Sequence, residues 1–143
     1  AHCHVQGRIL AIDPGGRRVG LALTDPLRII ASPYETLLIS SNDDAVEQIR
    51  GVIQREQVTE VVVGVPLRPG AEKSEQAKRV EVFIEVLKTR IDQPVFTIDE
   101  SYSSVEAEES LHRMGKKIGD DKGAVDRIAA AIILKQYLQE TQG

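Results

Sequence analysis

The sequence predicts an α/β fold, a mixed five-stranded sheet with helices on both faces. Three observations predict it. Two β-rich runs near the N-terminus are joined by a tight turn, Pro14-Gly15-Gly16. Strand and helix periodicities then alternate along the remaining chain. The run at residues 58–65 is apolar almost throughout, the pattern of a strand covered on both faces.

The elements follow in order. Residues 8–13 (RILAID) read as a buried strand ended by that turn. Residues 19–24 (VGLALT) read as a second strand, and the short connection predicts a hairpin. Residues 29–38 give a third strand, weakened by Pro33, which has no N–H for a ladder. Ser41, Asn42, Asp43 and Asp44 offer helix-capping side chains, and Val46, Ile49 and Ile53 then recur at helical spacing through Gln54. The fourth strand, VTEVVVGV, is broken only by Glu60 and Gly64. After a loop at 66–70, residues 72–91 predict a long helix with Val80, Phe83, Ile84, Leu87 and Ile91 on one face. Its extra apolar positions, Val82 and Val86, suit an interface or deeper burial equally well. Residues 95–99 (VFTID) form the last strand. Ser103 and Glu106 have capping-box spacing and open a helix expected to stop at Gly115. Residues 116–123 read as a polar loop, and Val125, Ile128, Ala129 and Ile132 mark a last helix through about Leu138. No linker, repeat or low-complexity tract interrupts this order. One domain is expected over residues 8–140, behind a flexible tail at 1–7.

A single domain suits 143 residues. A chain of this length buries roughly two-thirds of its unfolded surface, so it needs no staples. With three Tyr, two Phe and no Trp, its core must come from Val, Ile, Leu and Ala. The single cysteine, Cys3, has no internal disulfide partner, and no stretch approaches the roughly 20 apolar residues of a membrane span. The N-terminus lacks a signal-peptide core, and a cytoplasmic location is expected. Ala1-His2-Cys3-His4 reads as tail and not as a metal site, because a tetrahedral site needs a fourth ligand elsewhere. The net charge of −4 counts mildly against a nucleic-acid binder, though clustered bases matter more than the total. Carboxylates of an empty cation site would account for part of it.

Acidic residues stand at three telling places. Asp13 ends the first strand, Asp99 and Glu100 end the last, and Asp126 opens the last helix. Each alone has an ordinary explanation: a turn-forming Asp, a solvated strand end, a favourable charge in a first helical turn. Their combination carries more. Ala129 and Ala130 share the helical face of Asp126, and small residues let that helix lie close on the sheet, bringing Asp126 toward the end of the first strand. Carboxylates brought together repel, and a divalent cation removes that repulsion. Mg2+ or Mn2+ suits a few carboxylates with the remaining positions left to water and phosphate. Two such ions about 4 Å apart can activate a water and stabilise the leaving oxygen of a phosphodiester. The chain has no G-x-S-x-G, no Walker loop and no zinc ligand pair at usable spacing. His112, beside Glu108 and Glu109, reads as a surface histidine.

Four ordered stretches resemble the YqgF/RuvX family: AIDPGGRRVGLALTD at 11–25, VVVGVPL at 61–67 with Gly70 after it, IDESYSSVEAE at 98–108 and KGAVDRIAAAIILKQYL at 122–138. The resemblance spans nearly the whole chain. It implies a ribonuclease H-like fold related to the Holliday-junction resolvase RuvC. It implies a metal-dependent nuclease processing the 5′ end of pre-16S rRNA, with four-way DNA junctions as the alternative substrate. It makes Asp13, Glu100 and Asp126 the catalytic carboxylates and metal ligands, with Asp99 an adjacent candidate; strand neighbours point to opposite faces, so one of that pair faces the site. Two positions depart from the family pattern. Ser101 stands where Arg is common, and Arg17, Arg18 and Lys122 are the candidates to take over its phosphate contact. Pro14 replaces an aromatic, giving the Asp-Pro-Gly of the RuvC pattern.

Basic residues then read as a substrate surface. Arg17 and Arg18 follow the first strand, and Lys116, Lys117 and Lys122 precede Asp126. Such contacts position nucleic acid without reading its sequence. Arg68 and Lys73 flank the loop after the fourth strand, while Lys78, Arg79, Lys88 and Arg90 read as solvated charge. Base stacking is limited to Tyr34 or Tyr102. Ribosome-assembly intermediates are expected partners, a membrane is not, and monomer and homodimer both stand; a junction resolvase needs two active sites related by a two-fold axis. Two rival readings remain. An actin-like or sugar-kinase-like ATP-binding fold has a similar first hairpin but needs two such domains. A catalytically silent RNA-binding assembly factor would keep the fold and the carboxylates.

Overall fold

The hairpin read at the N-terminus is built from β1 (Arg8–Pro14) and β2 (Arg18–Thr24), paired antiparallel with Leu10 opposite Leu23 and Asp13 opposite Gly20. The computed structural model describes residues 7–14, 17–65, 75–99 and 122–142. Within them β3 (Ala31–Leu38), α1 (Asn42–Glu56), β4 (Val58–Val65), α2 (Glu75–Arg90), β5 (Val95–Asp99) and α3 (Lys122–Gln142) follow in chain order. The sheet runs β3-β2-β1-β4-β5. It is antiparallel from β3 to β1 and parallel from β1 to β5. The expected mixed five-stranded sheet is therefore present. The expected helix at 103–115, the loop at 66–70 and the first part of the loop expected at 116–123 lie outside the described residues, while residues 122 and 123 of that loop are already helical.

Local chemistry explains the boundaries. Ser41 caps α1: its Oγ accepts the Asp44 N–H at 3.1 Å, while Asp44 Oδ2 accepts the Ser40 N–H at 2.9 Å. The helix ends at Gln57, which adopts a left-handed backbone (φ 57°) and donates its N–H to Ile53 O. Pro33 is tolerated because β3 is an edge strand, and the β2–β3 register shifts there, between Leu21 and Ala22. At the end of the sheet away from Asp13, Arg28 pins the β2–β3 turn through three contacts. Its Nε donates to Gly7 O at 3.1 Å, Nη1 to Glu60 Oε1 at 3.3 Å and Nη2 to Thr59 Oγ1 at 3.1 Å.

Strand alternation sorts the core onto two faces. On one face Leu10, Ile12, Leu21, Val61 and Val63 pack under α1 and α2, with Ile49, Phe83 and Leu87 fully covered. On the other, Ile9, Ala11, Ala22, Val62 and Ile98 pack under α3, against Ala130, Ala131, Ile133, Leu134 and Tyr137. The helices thus cover both faces, as the continuous apolar run of β4 requires. Val86 packs against the first cluster and Val82 is exposed, so of the two extra apolar positions only Val86 serves burial.

Candidate active site

The C-terminal end of β1 carries Asp13, which continues the row Ile9, Ala11 onto the α3 face of the sheet. Its cross-strand partner is Gly20 on β2, and directly opposed residues of an antiparallel pair share a face. Helix α3 lies directly on Gly20. A Cβ added there would stand 2.1 Å from the carbonyl oxygen of Asp126 and 2.9 Å from its Cβ. No residue with a side chain fits at such a separation, so the glycine is a backbone-approach site inside a strand. Ala129 and Ala130, both buried, keep the helix low over the next turn. The two carboxylates, 113 positions apart in sequence, are thus brought to one place on one face.

The structure adds partners that the sequence does not display. Arg18, two residues before Gly20 and on the same face, donates from Nε to Asp126 Oδ2 at 2.9 Å. The Arg18 side chain is 42% exposed and that of Asp126 22%. Asp126 Oδ1 and the Arg18 Nη groups make no hydrogen bond among the described residues. Thr36 on β3 pairs with Gly20 from the other side and accepts Arg127 Nη1 at 3.3 Å, which places a further cation on the β3 flank. Gly20 and Arg127 were missed by sequence reasoning. A glycine among β-branched and apolar strand residues was the available signal for the first; nothing marked the second.

Two expectations are corrected. Asp126 does not open the last helix: α3 begins at Lys122, so Asp126 lies a turn inside, its position set by packing on Gly20 and not by the helix terminus. Arg18 is paired with Asp126. Tyr34 is not placed for base stacking. It packs on the α1 side of the sheet, with its hydroxyl bonded to Glu56 and Arg55. Burial there pushes its phenol up from the ordinary value, against the pull of Arg55. Arg17 is exposed beside the site. Lys122 begins α3, with its side chain outside the described residues, and Asp99 ends β5 opposite Val65. Glu100, Ser101, Tyr102, His112, Lys116, Lys117, Arg68 and Lys73 lie outside the described residues.

Asp13 and Asp126 offer hard oxygen donors, the set that Mg2+ or Mn2+ prefers, and Mg2+ commonly binds through one or two carboxylates while keeping several waters. The close approach at Gly20 is what gathers them. Among the described residues no group of three or more metal-capable side chains forms.

The sheet order and the flanking helices define a ribonuclease H-like fold, shared with solved resolvases. RuvC of T. thermophilus, solved in complex with a Holliday junction substrate, matches with a TM-score of 0.59 at 19% identity, over 94% of this chain and 96% of that one. The Fowlpox virus resolvase, in complex with Holliday junction DNA, matches with 0.57 at 12% identity, over 95% and 99%. The family model of RuvX, described as Holliday junction resolvase, matches residues 7–140, and the chain belongs to that family. A relative from Roseiflexus sp. (strain RS-1) is 38% identical over 132 residues, 92% of this chain and 94% of the relative. One from Chloroflexus aurantiacus is 39% identical over 130 residues, 91% and 85%. Both bear the name "Putative pre-16S rRNA nuclease". No helix among the described residues is long and apolar enough to cross a membrane.

Proposed function

We propose that this chain is a divalent-metal-dependent nuclease that hydrolyses phosphodiester bonds at the 5′ end of pre-16S rRNA, acting in the cytoplasm as one domain over residues 8–140. The observation that carries the reading is the seating of Asp126 on Gly20, the cross-strand partner of Asp13. Asp13 and Asp126 would hold Mg2+ or Mn2+, with Glu100 as third ligand. When bound, the metal supplies an activated water and charge stabilisation at the leaving oxygen. The residues of the chain do the remainder. The carboxylates orient the cations, and Arg17, Arg18 and Lys122 hold the phosphate backbone on the β2 and α3 sides, contacts that fix register without reading bases.

Membership of a family described as Holliday junction resolvase favours a second substrate, four-way DNA, and that activity would need a symmetric dimer. The two substrates separate in one experiment. Labelled rRNA precursor and a four-way junction are incubated with the protein and Mg2+, Mn2+ or chelator, beside Asp13→Asn. Cation-dependent cleavage of the rRNA, lost in Asp13→Asn, is expected. Preferential cleavage of the junction would transfer the proposal to DNA. No cleavage of either by folded protein would leave a binding role in ribosome assembly.

A further inference from the structure

We propose that Arg18 is an exchangeable counter-ion, which holds Asp126 while no cation is bound and turns its guanidinium to a substrate phosphate once a cation takes that carboxylate. The inference rests on the metal-nuclease reading above and adds to it a specific role for one side chain. Asp13 and Asp126 approach on one face, where their charges repel. Arg18 lies on that face and offsets the repulsion through a single bond, Nε to Oδ2 at 2.9 Å, not through the two-pronged fork that makes arginine–carboxylate pairs strong.

The contrast with Arg28 decides between a fixed and an exchangeable role. Arg28 is 20% exposed and engages Gly7, Thr59 and Glu60 through all three guanidinium nitrogens, the arrangement of a structural tie. Arg18 is 42% exposed, uses one nitrogen, and leaves both Nη groups without a hydrogen bond among the described residues. A pair held by one hydrogen bond, with its arginine half exposed, is weaker than a forked one and more easily given up. A divalent cation brings twice the charge to the same carboxylate. The two Nη groups have the planar spacing that matches two phosphate oxygens. Displacement by a metal would therefore release the arginine beside the carboxylate that the metal takes.

The role predicts opposite signs for two measurements. Mn2+ affinity is measured by calorimetry on the full chain, for wild type, Arg18→Gln, Arg18→Lys and Asp13→Asn, with melting temperatures in chelator and steady-state cleavage of the nucleic acid. Arg18→Gln should bind Mn2+ roughly three- to tenfold more tightly, as expected for removing one nearby unit charge at a solvated site, while its KM rises and kcat changes less. Arg18→Lys, which keeps the charge, should hold Mn2+ affinity within about twofold of wild type. Equal or weaker Mn2+ binding in Arg18→Gln would show that Arg18 supports Asp126 and does not compete for it. Weakened Mn2+ binding in Arg18→Lys would overturn the exchange in the same way. Either result leaves the nuclease reading intact. No Mn2+ binding by wild type, or unchanged binding by Asp13→Asn, would remove the metal site itself, and the inference with it.

Discussion

The two faces of the sheet are built from different side chains. Under α1 and α2 the strands present Leu10, Ile12, Val19, Leu21, Val61 and Val63, and the helices answer with Ile49, Val52, Phe83 and Leu87. Large branched groups there make a deep layer. Under α3 the strands mix Ile9, Val62 and Ile98 with the small Ala11, Gly20 and Ala22, and the helix answers with Ala130 and Ala131 beside Ile133, Leu134 and Tyr137. Burial free energy scales with apolar area, roughly 25 cal/mol per Å2, so the alanine and glycine positions of the second face contribute less than the branched ones. Those small positions give up area and gain proximity. Only a thin layer lets the backbone of Asp126 rest on β2 beside Asp13. The first face thus serves packing alone, while the second also gathers charge.

The separation is best broken at Gly20. Gly20→Ala places a methyl 2.1 Å from a backbone oxygen, which cannot rotate away, so α3 must lift. Overpacking of this kind costs about 1–3 kcal/mol. A displacement near 1 Å at the site costs roughly 100-fold in rate. Both denaturant unfolding and cleavage should show the damage. The opposite face should respond in stability alone. Leu87→Ala empties a fully covered position and should cost about 2–5 kcal/mol, with kcat per folded molecule unchanged; a comparable loss of kcat would show that the faces are mechanically coupled.

The smallest effect concerns the entry to α1. The Ser40 N–H, then the Gln48 amide, hold the Asp44 carboxyl below its ordinary value of 3.8. A folded value below the unfolded one means that this contribution is present above about pH 4 and fades as pH falls through the lower folded value. Asp44→Asn should therefore flatten the acid limb of the stability curve, read by thermal melts from pH 2 to 6, and leave metal affinity at neutral pH untouched. A shift in Mn2+ affinity would contradict the independence of the two faces.

Much of this architecture was legible along the chain. The unbroken β-branched run at β4 announced burial on both sides, and Val62 indeed faces α3 while Val61 and Val63 face α1 and α2. The cluster at 41–44 announced a cap, and Ser41 provides it. The alanines after Asp126 announced a low helix, and Ala129 and Ala130 are buried. These are local signals, carried by residues within a few positions of one another. The partners of the site were not legible. Arg18 and Asp126 are separated by 108 positions, Arg127 and Thr36 by 91. Tyr34 offered an aromatic of the right type, yet the register shift in β3 turned it to the face away from the carboxylates.

By itself, then, the sequence determined the period of each element, its caps and breaks, and the kinds of charge available at strand and helix ends, because those depend on backbone geometry over a turn or a pleat. Tertiary structure alone decided which charges meet. The order β3-β2-β1-β4-β5 sets Gly20 between Asp13 and Thr36, and the shallow packing of α3 brings Asp126 down onto it with Arg18 alongside. Those distances follow from the thickness of a packed layer, to which residues far apart in the chain contribute jointly.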